Sequence, residues 1–129
     1  MTERKLRVLL VDDEPDIRLI IGKRLEADGF EVFLANDGEE ALLQAGQNPD
    51  VIVLDLMLPK RSGLDVCQTL RQEHRYNTIP IVFFTSKDHD DVLGRLSLDS
   101  ELKQWGAQAF VSKSAGVAEL IRTIRRVLA

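Results

Sequence analysis

Four short, nearly continuous apolar runs, Leu6–Val11, Val32–Ala35, Val51–Leu54 and Ile81–Phe84, limit what this chain can fold into. Each is too short for a buried helix and too uniformly apolar for a strand with one wet face, so they read as strands covered on both sides. A weaker fifth run is Ala109–Val111. Between them apolar residues recur at helical spacing: Ile17, Ile20, Ile21 and Leu25; Ala41, Leu42 and Ala45; Leu64, Cys67 and Leu70; Val117, Leu120, Ile121, Ile124 and Leu128. Strand followed by helix, repeated five times, predicts an α/β fold. Helical crossovers between parallel strands keep one hand and cover both faces of a doubly wound, five-stranded parallel sheet.

Punctuation agrees with these boundaries. Pro15 suits a first helical position and Gly29 a helix end. Asp37 with Glu40, and Ser62 with Asp65, resemble capping boxes, although Asp65 is a weaker partner than Glu or Gln. There is no internal repeat, low-complexity tract or linker.

At 129 residues and 44% hydrophobic content the chain suits one core, and residues 1–129 are expected to be a single domain, either free or cut from something longer. A net charge of −4 and a pI near 5.2 lack the positive field of a domain that grips nucleic acid by itself, so direct nucleic-acid binding is not expected. One cysteine, Cys67, lies in an apolar stripe and reads as core, which fits a reducing cytoplasm. The first apolar run is too short for a signal peptide or a membrane span, so a cytoplasmic protein without membrane contact is expected. His74 and His89 have no metal-ligand spacing, and Arg122, Arg125 and Arg126 read as a solvated face with partner or dimer contact as the next reading.

The chemistry gathers at one edge. Asp12 and Asp13 close the first run and Asp55 the third, and in such sheets ligands sit beyond the carboxyl ends of the strands. Two like charges about 4 Å apart repel by roughly 4 kcal/mol at an effective dielectric of 20, so the cluster needs a cation, a proton or a lysine. A hard divalent metal such as magnesium suits oxygen-only donors. Thr85 ends the fourth run and Lys113 follows the fifth. Singly these are a cap, a solvated charge and an ordinary β-residue; together they form a phosphoryl-transfer constellation. Asp55 is the candidate nucleophile, Lys113 and the metal offset charge on the transferring oxygens, and the Thr85 hydroxyl hydrogen-bonds one of them.

Four stretches, VLLVDDEPDIR, PDVIVLDLMLPKRSGLDV, IPIVFFTS and GAQAFVSK, make the chain resemble the receiver domains of bacterial response regulators, of the CheY-like type, over almost its full length. The resemblance implies a flavodoxin-like sheet of order 2-1-3-4-5 and magnesium-dependent transfer of a phosphoryl group from a sensor histidine kinase or histidine phosphotransfer protein to Asp55. It further implies that Asp12, Asp13, Asp55 and the backbone carbonyl of Met57 bind the metal, that Thr85 and Lys113 bind the phosphoryl group, and that Thr85 and Phe110 form the switch. Phe110 serves equally well as core filling. An unknown downstream protein and a phosphorylation-dependent homodimer are the partners implied. The protein would be a phosphoacceptor switch that catalyses only its own phosphorylation and dephosphorylation, not a turnover enzyme.

Two alternatives differ in sign. An aspartate-nucleophile phosphatase resembles a strand ending in Asp-x-Asp, but Met57 stands at the second acidic position; a degenerate receiver serving only as a binding module would have lost the acidic pair, the phosphoacceptor or the lysine, all present here. The chain departs from the family at Ser114, where proline usually follows the lysine, which leaves the reach of Lys113 open; Met57 and Lys87 occupy positions that tune phosphate lifetime. Thr85 and Lys113 stand farther apart than the family's usual spacing. The two-phase apolar pattern from Asp88 to Trp105 predicts a fourth helix broken near Gly94–Ser100, with a second piece ending before Gly106.

Overall fold

The computed structural model describes residues 4–86 and 103–129. Five parallel strands, β1 (Arg7–Val11), β2 (Glu31–Ala35), β3 (Val51–Leu54), β4 (Ile81–Thr85) and β5 (Ala109–Ser112), form one sheet in the order β2-β1-β3-β4-β5. The described helices are α1 (Pro15–Ala27), α2 (Gly38–Gln44), α3 (Gly63–Gln72) and the C-terminal helix Val117–Leu128. Residues 103–105 are also helical and stop at Gly106, whose φ is +82°. The expected break near Gly94–Ser100 lies outside the described residues.

The period-two geometry of a strand explains why each apolar run is continuous. Leu9, Val11, Ile52, Leu54, Ile81 and Phe83 point to one face, where Val66, Cys67 and Leu70 of α3 and Ala41 of α2 cover them. Val8, Leu10, Val51, Val53, Val82 and Phe84 point to the other, under Ile21 and Leu25 of α1 and Leu120, Ile121 and Ile124 of the C-terminal helix. Two expectations need correction. β2 is an edge strand, so Leu34 is 44% exposed, and Ile20, counted in the apolar stripe of α1, is 61% exposed while Ile17 only half reaches the core.

The local signals act as read. Pro15 opens α1, and the Asp37 and Ser62 side chains accept from the amides of Glu40 (2.8 Å) and Asp65 (3.1 Å). The Glu40 carboxylate reaches back to the Asn36 amide at 3.2 Å, not to Asp37. Cys67 is buried with its Sγ 3.2 Å from the Trp105 carbonyl, and burial pushes its thiol up to about 11, as fits core filling. Arg122 pairs with Glu119, and Arg125 lies over Phe30 and donates to the Asp28 carbonyl; both stay exposed.

Arg71, at the end of α3, was not singled out by the sequence. It donates to the carbonyls of Gly106 (2.7 Å), Ile79 (2.7 Å) and Tyr76 (3.1 Å), and Gln108 Oε1, 3.3 Å away, also accepts from the Ile81 amide at 2.7 Å. One guanidinium thereby ties the approaches to β4 and β5 together.

At the opposite end of β1, Asp50 accepts two bonds from Arg4 (2.9 and 3.1 Å) and one from the Arg7 amide (2.8 Å). Its burial acts to raise its pKa, but these bonds and charges outweigh it and hold the pKa below the ordinary 3.8. A depressed carboxylate stabilises the fold above the unfolded-state value and stops doing so as pH falls through the folded-state value. Asp50→Asn should therefore lower stability by about 1 kcal/mol at neutral pH, with the difference fading below pH 3.8. Urea unfolding at pH 7 and in acid checks this; a pH-independent difference would rule out the charge.

Candidate phosphoryl and metal site

Register brings the acidic residues together. Val11 stands opposite Leu54, so the next residues, Asp12 and Asp55, leave adjacent strands side by side. The ladder runs one step further: the Asp55 amide donates to the Val11 carbonyl and the Asp12 amide to that of Ala35, both at 3.1 Å. Asp13 is exposed, yet one carboxylate oxygen from each of Asp12, Asp13 and Asp55 lies within 4.8 Å of the others. Asp12 and Asp55 are 1% and 4% exposed.

Lys113 supplies the balancing charge. Its Nζ lies 2.6 Å from Asp12 Oδ2, 2.9 Å from Asp55 Oδ2 and 3.4 Å from Glu14 Oε1. Burial acts to lower the lysine's pKa, but hydrogen bonds and charge from Asp12 and Asp55 outweigh it and the net shift is upward. Burial raises the pKa of Asp12, even against the hydrogen bonds from Lys113 and the Glu14 amide. Ser114 does not disturb this reach. Among the described residues no peptide bond is cis, and Lys113–Ala115 form a 3-10 turn in which the Ser114 amide, absent in a proline, donates to Ser112 Oγ at 3.2 Å.

Of the other predicted residues, Met57 contacts this centre directly, while Thr85 ends β4 and Phe110 lies in β5. The Met57 amide donates to Asp55 Oδ1 at 3.0 Å, fixing the carboxylate's second oxygen, while the Met57 side chain is exposed. Thr85 is fully buried and its Oγ1 has no hydrogen-bond partner among the described residues. Such an orphaned hydroxyl costs about 1–3 kcal/mol. Phe110 is half-buried, level with Phe83, on the face covered by α3.

Sequence reasoning missed Glu14, Arg18 and Gly63. Arg18 Nη1 donates to the Asp12 carbonyl at 2.6 Å, from the first turn of α1 back to the end of β1, six positions apart and so without a helical-spacing signal. Gly63 has no room for a side chain: a Cβ there would overlap the Asp55 carbonyl oxygen and stand 2.8 Å from Leu56 Cα. A magnesium ion fits this oxygen-only donor set, with Asp12, Asp13 and Asp55 as its carboxylates.

The comparisons agree with this geometry. The profile described as response regulator receiver domain matches residues 8–125. The chain belongs to the response regulator receiver domain family. It is 38% identical over 125 residues to the alkaline phosphatase synthesis transcriptional regulatory protein PhoP of Bacillus subtilis (strain 168), covering 95% of this chain and 48% of that one. It is 34% identical to the transcriptional regulatory protein CpxR of Escherichia coli (strain K12), covering 95% and 49%. The receiver thus spans about half the length of the curated relatives it matches. Among solved structures, the chemotaxis response regulator CheY4 of Vibrio cholerae superposes with a TM-score of 0.84 at 30% identity, covering 96% and 99% of the two chains. The response regulator TrrA of Thermotoga maritima, solved in complex with Mg(2+)-BeF, superposes with 0.79 at 34% identity, covering 96% and 99%. Two relatives being named transcriptional regulators, the acidic charge of these 129 residues does not exclude nucleic acid as a target of a longer protein. No helix among the described residues is long and apolar enough to cross a membrane.

Proposed function

We propose that this receiver accepts a phosphoryl group at Asp55 from a phosphohistidine of a sensor histidine kinase or histidine phosphotransfer protein. A carboxylate oxygen of Asp55 forms the new bond to phosphorus as the phosphorus–nitrogen bond breaks, and the imidazole leaves with the electron pair and takes a proton. Attack by water later releases phosphate and restores Asp55. Asp12, Asp13, Asp55 and the Met57 carbonyl would hold magnesium, which when bound offsets charge on the phosphoryl oxygens. Lys113 and Thr85 each donate to one of those oxygens. Drawing Thr85 toward the phosphoryl group frees the space that Phe110 turns into, which changes the surface read by a downstream protein or a second copy. On this reading the 129 residues act as one cytoplasmic switch unit without turnover of metabolites, and the names of the relatives favour a transcriptional output carried elsewhere in a longer protein.

The observation that carries this reading is the ammonium of Lys113 bridging the two buried carboxylates of Asp12 and Asp55. Acetyl phosphate with magnesium should add one acid-labile phosphoryl group, seen by intact-mass measurement, and Asp55→Asn should remove it. Undiminished labelling of Asp55→Asn would overturn the assignment.

A further inference from the structure

Glu14 stands at the N-cap position just before α1, but its side chain makes no bond to the first-turn amides and reaches Lys113, 99 positions away, at 3.4 Å. An ammonium has three N–H donors, and on Lys113 three carboxylates share them. Two of these acceptors, Asp12 and Asp55, are buried and close, at 2.6 and 2.9 Å. The third is the longest contact, and its side chain is 59% exposed at the mouth of the site. A phosphoryl oxygen that bonds Lys113 must displace one of the three. The weakest and most solvated contact yields at the least cost, since an exposed ion pair contributes little and its carboxylate is readily rehydrated.

Resting on the function proposed above, we infer that Glu14 is an internal stand-in for the phosphoryl group, occupying the donor of Lys113 that an incoming phosphoryl oxygen takes, and so sets the site's affinity for anionic phosphodonors. Its removal frees that donor. Glu14 is thus a specificity-determining residue that acts through Lys113, and its effect depends on the ammonium being present.

The test is a double-mutant cycle read at equilibrium by beryllofluoride binding and kinetically by acetyl phosphate labelling, both at saturating magnesium. Glu14→Gln should lower the half-saturating beryllofluoride concentration and the KM for acetyl phosphate about two- to threefold, the scale of one exposed ion pair, with the maximal labelling rate little changed. In a Lys113→Met background the same substitution should change beryllofluoride affinity less than about 1.5-fold, because the shared donor is gone. Unchanged affinity in Glu14→Gln would overturn the inference. So would an equal gain in the Lys113→Met background, which would mean that the Glu14 charge acts on the anion directly. Failure of the wild-type protein to bind beryllofluoride or to be labelled would instead sink the proposed function itself, and the inference with it.

Discussion

Replacing Gly63 with alanine is expected to lower stability by about 3 kcal/mol, the upper part of the usual range for overpacking, and to remove most phosphoryl labelling at Asp55. The new methyl meets backbone, the carbonyl of Asp55 and the Cα of Leu56, with no flexible side chain to move aside. Either α3 retreats from the sheet, losing the burial of Val66, Cys67 and Leu70, or the loop after β3 shifts and carries Asp55 away from Lys113. A misplacement of about 1 Å is enough to cost a rate factor near a hundred. Denaturant unfolding and intact-mass labelling measure the two effects separately. Wild-type values in both would show that the helix start can step back freely.

The second large effect concerns charge. Without metal at neutral pH, Lys113→Met should lose about 3 kcal/mol of stability, because it leaves two buried carboxylates without their cation. Magnesium should then stabilise the variant more than the wild type, since it binds the native state and replaces the missing charge. The signs follow from the shifts. A lysine whose pKa is raised on folding contributes fully below its ordinary 10.5 and loses that contribution as pH climbs through the folded-state value. Asp12, held by burial above the usual carboxylate value, takes up a proton in acid, where it no longer needs the ammonium. The deficit of the variant should therefore be widest around neutrality and narrow toward both extremes. Melting curves with chelator and with magnesium across pH would show it; a deficit that ignores both would assign Lys113 a packing role only.

The sheet was legible because strands covered on both faces cannot hide polar residues, and only β2, half covered at its edge, blurred that signal through Leu34. The acidic centre was legible for a related reason: Asp12 and Asp55 interrupt apolar runs at the same edge, where an unpaired charge would be intolerable. Periodicity was less informative about α1, whose stripe of four isoleucines and leucines is wider than the face it buries, so Ile20 was counted inward although it faces solvent. Contacts between distant loops left no local trace. The reach of Glu14 to Lys113 depends on how two distant segments approach, and the collision that keeps residue 63 a glycine on how the β3–α3 connection folds back on Asp55 and Leu56, which no periodicity encodes.

The carbonyl cage around Arg71 bears on how this lineage could change length. It fastens the chain at Ile79 and Tyr76 on one side and at Gly106 and Gln108 on the other, so the starting points of β4 and β5 are fixed independently of how many residues run between Thr85 and Lys103. A change in the number of residues between those anchors therefore leaves the Arg71 contacts intact, and with them the strands that carry Thr85 and lead to Lys113.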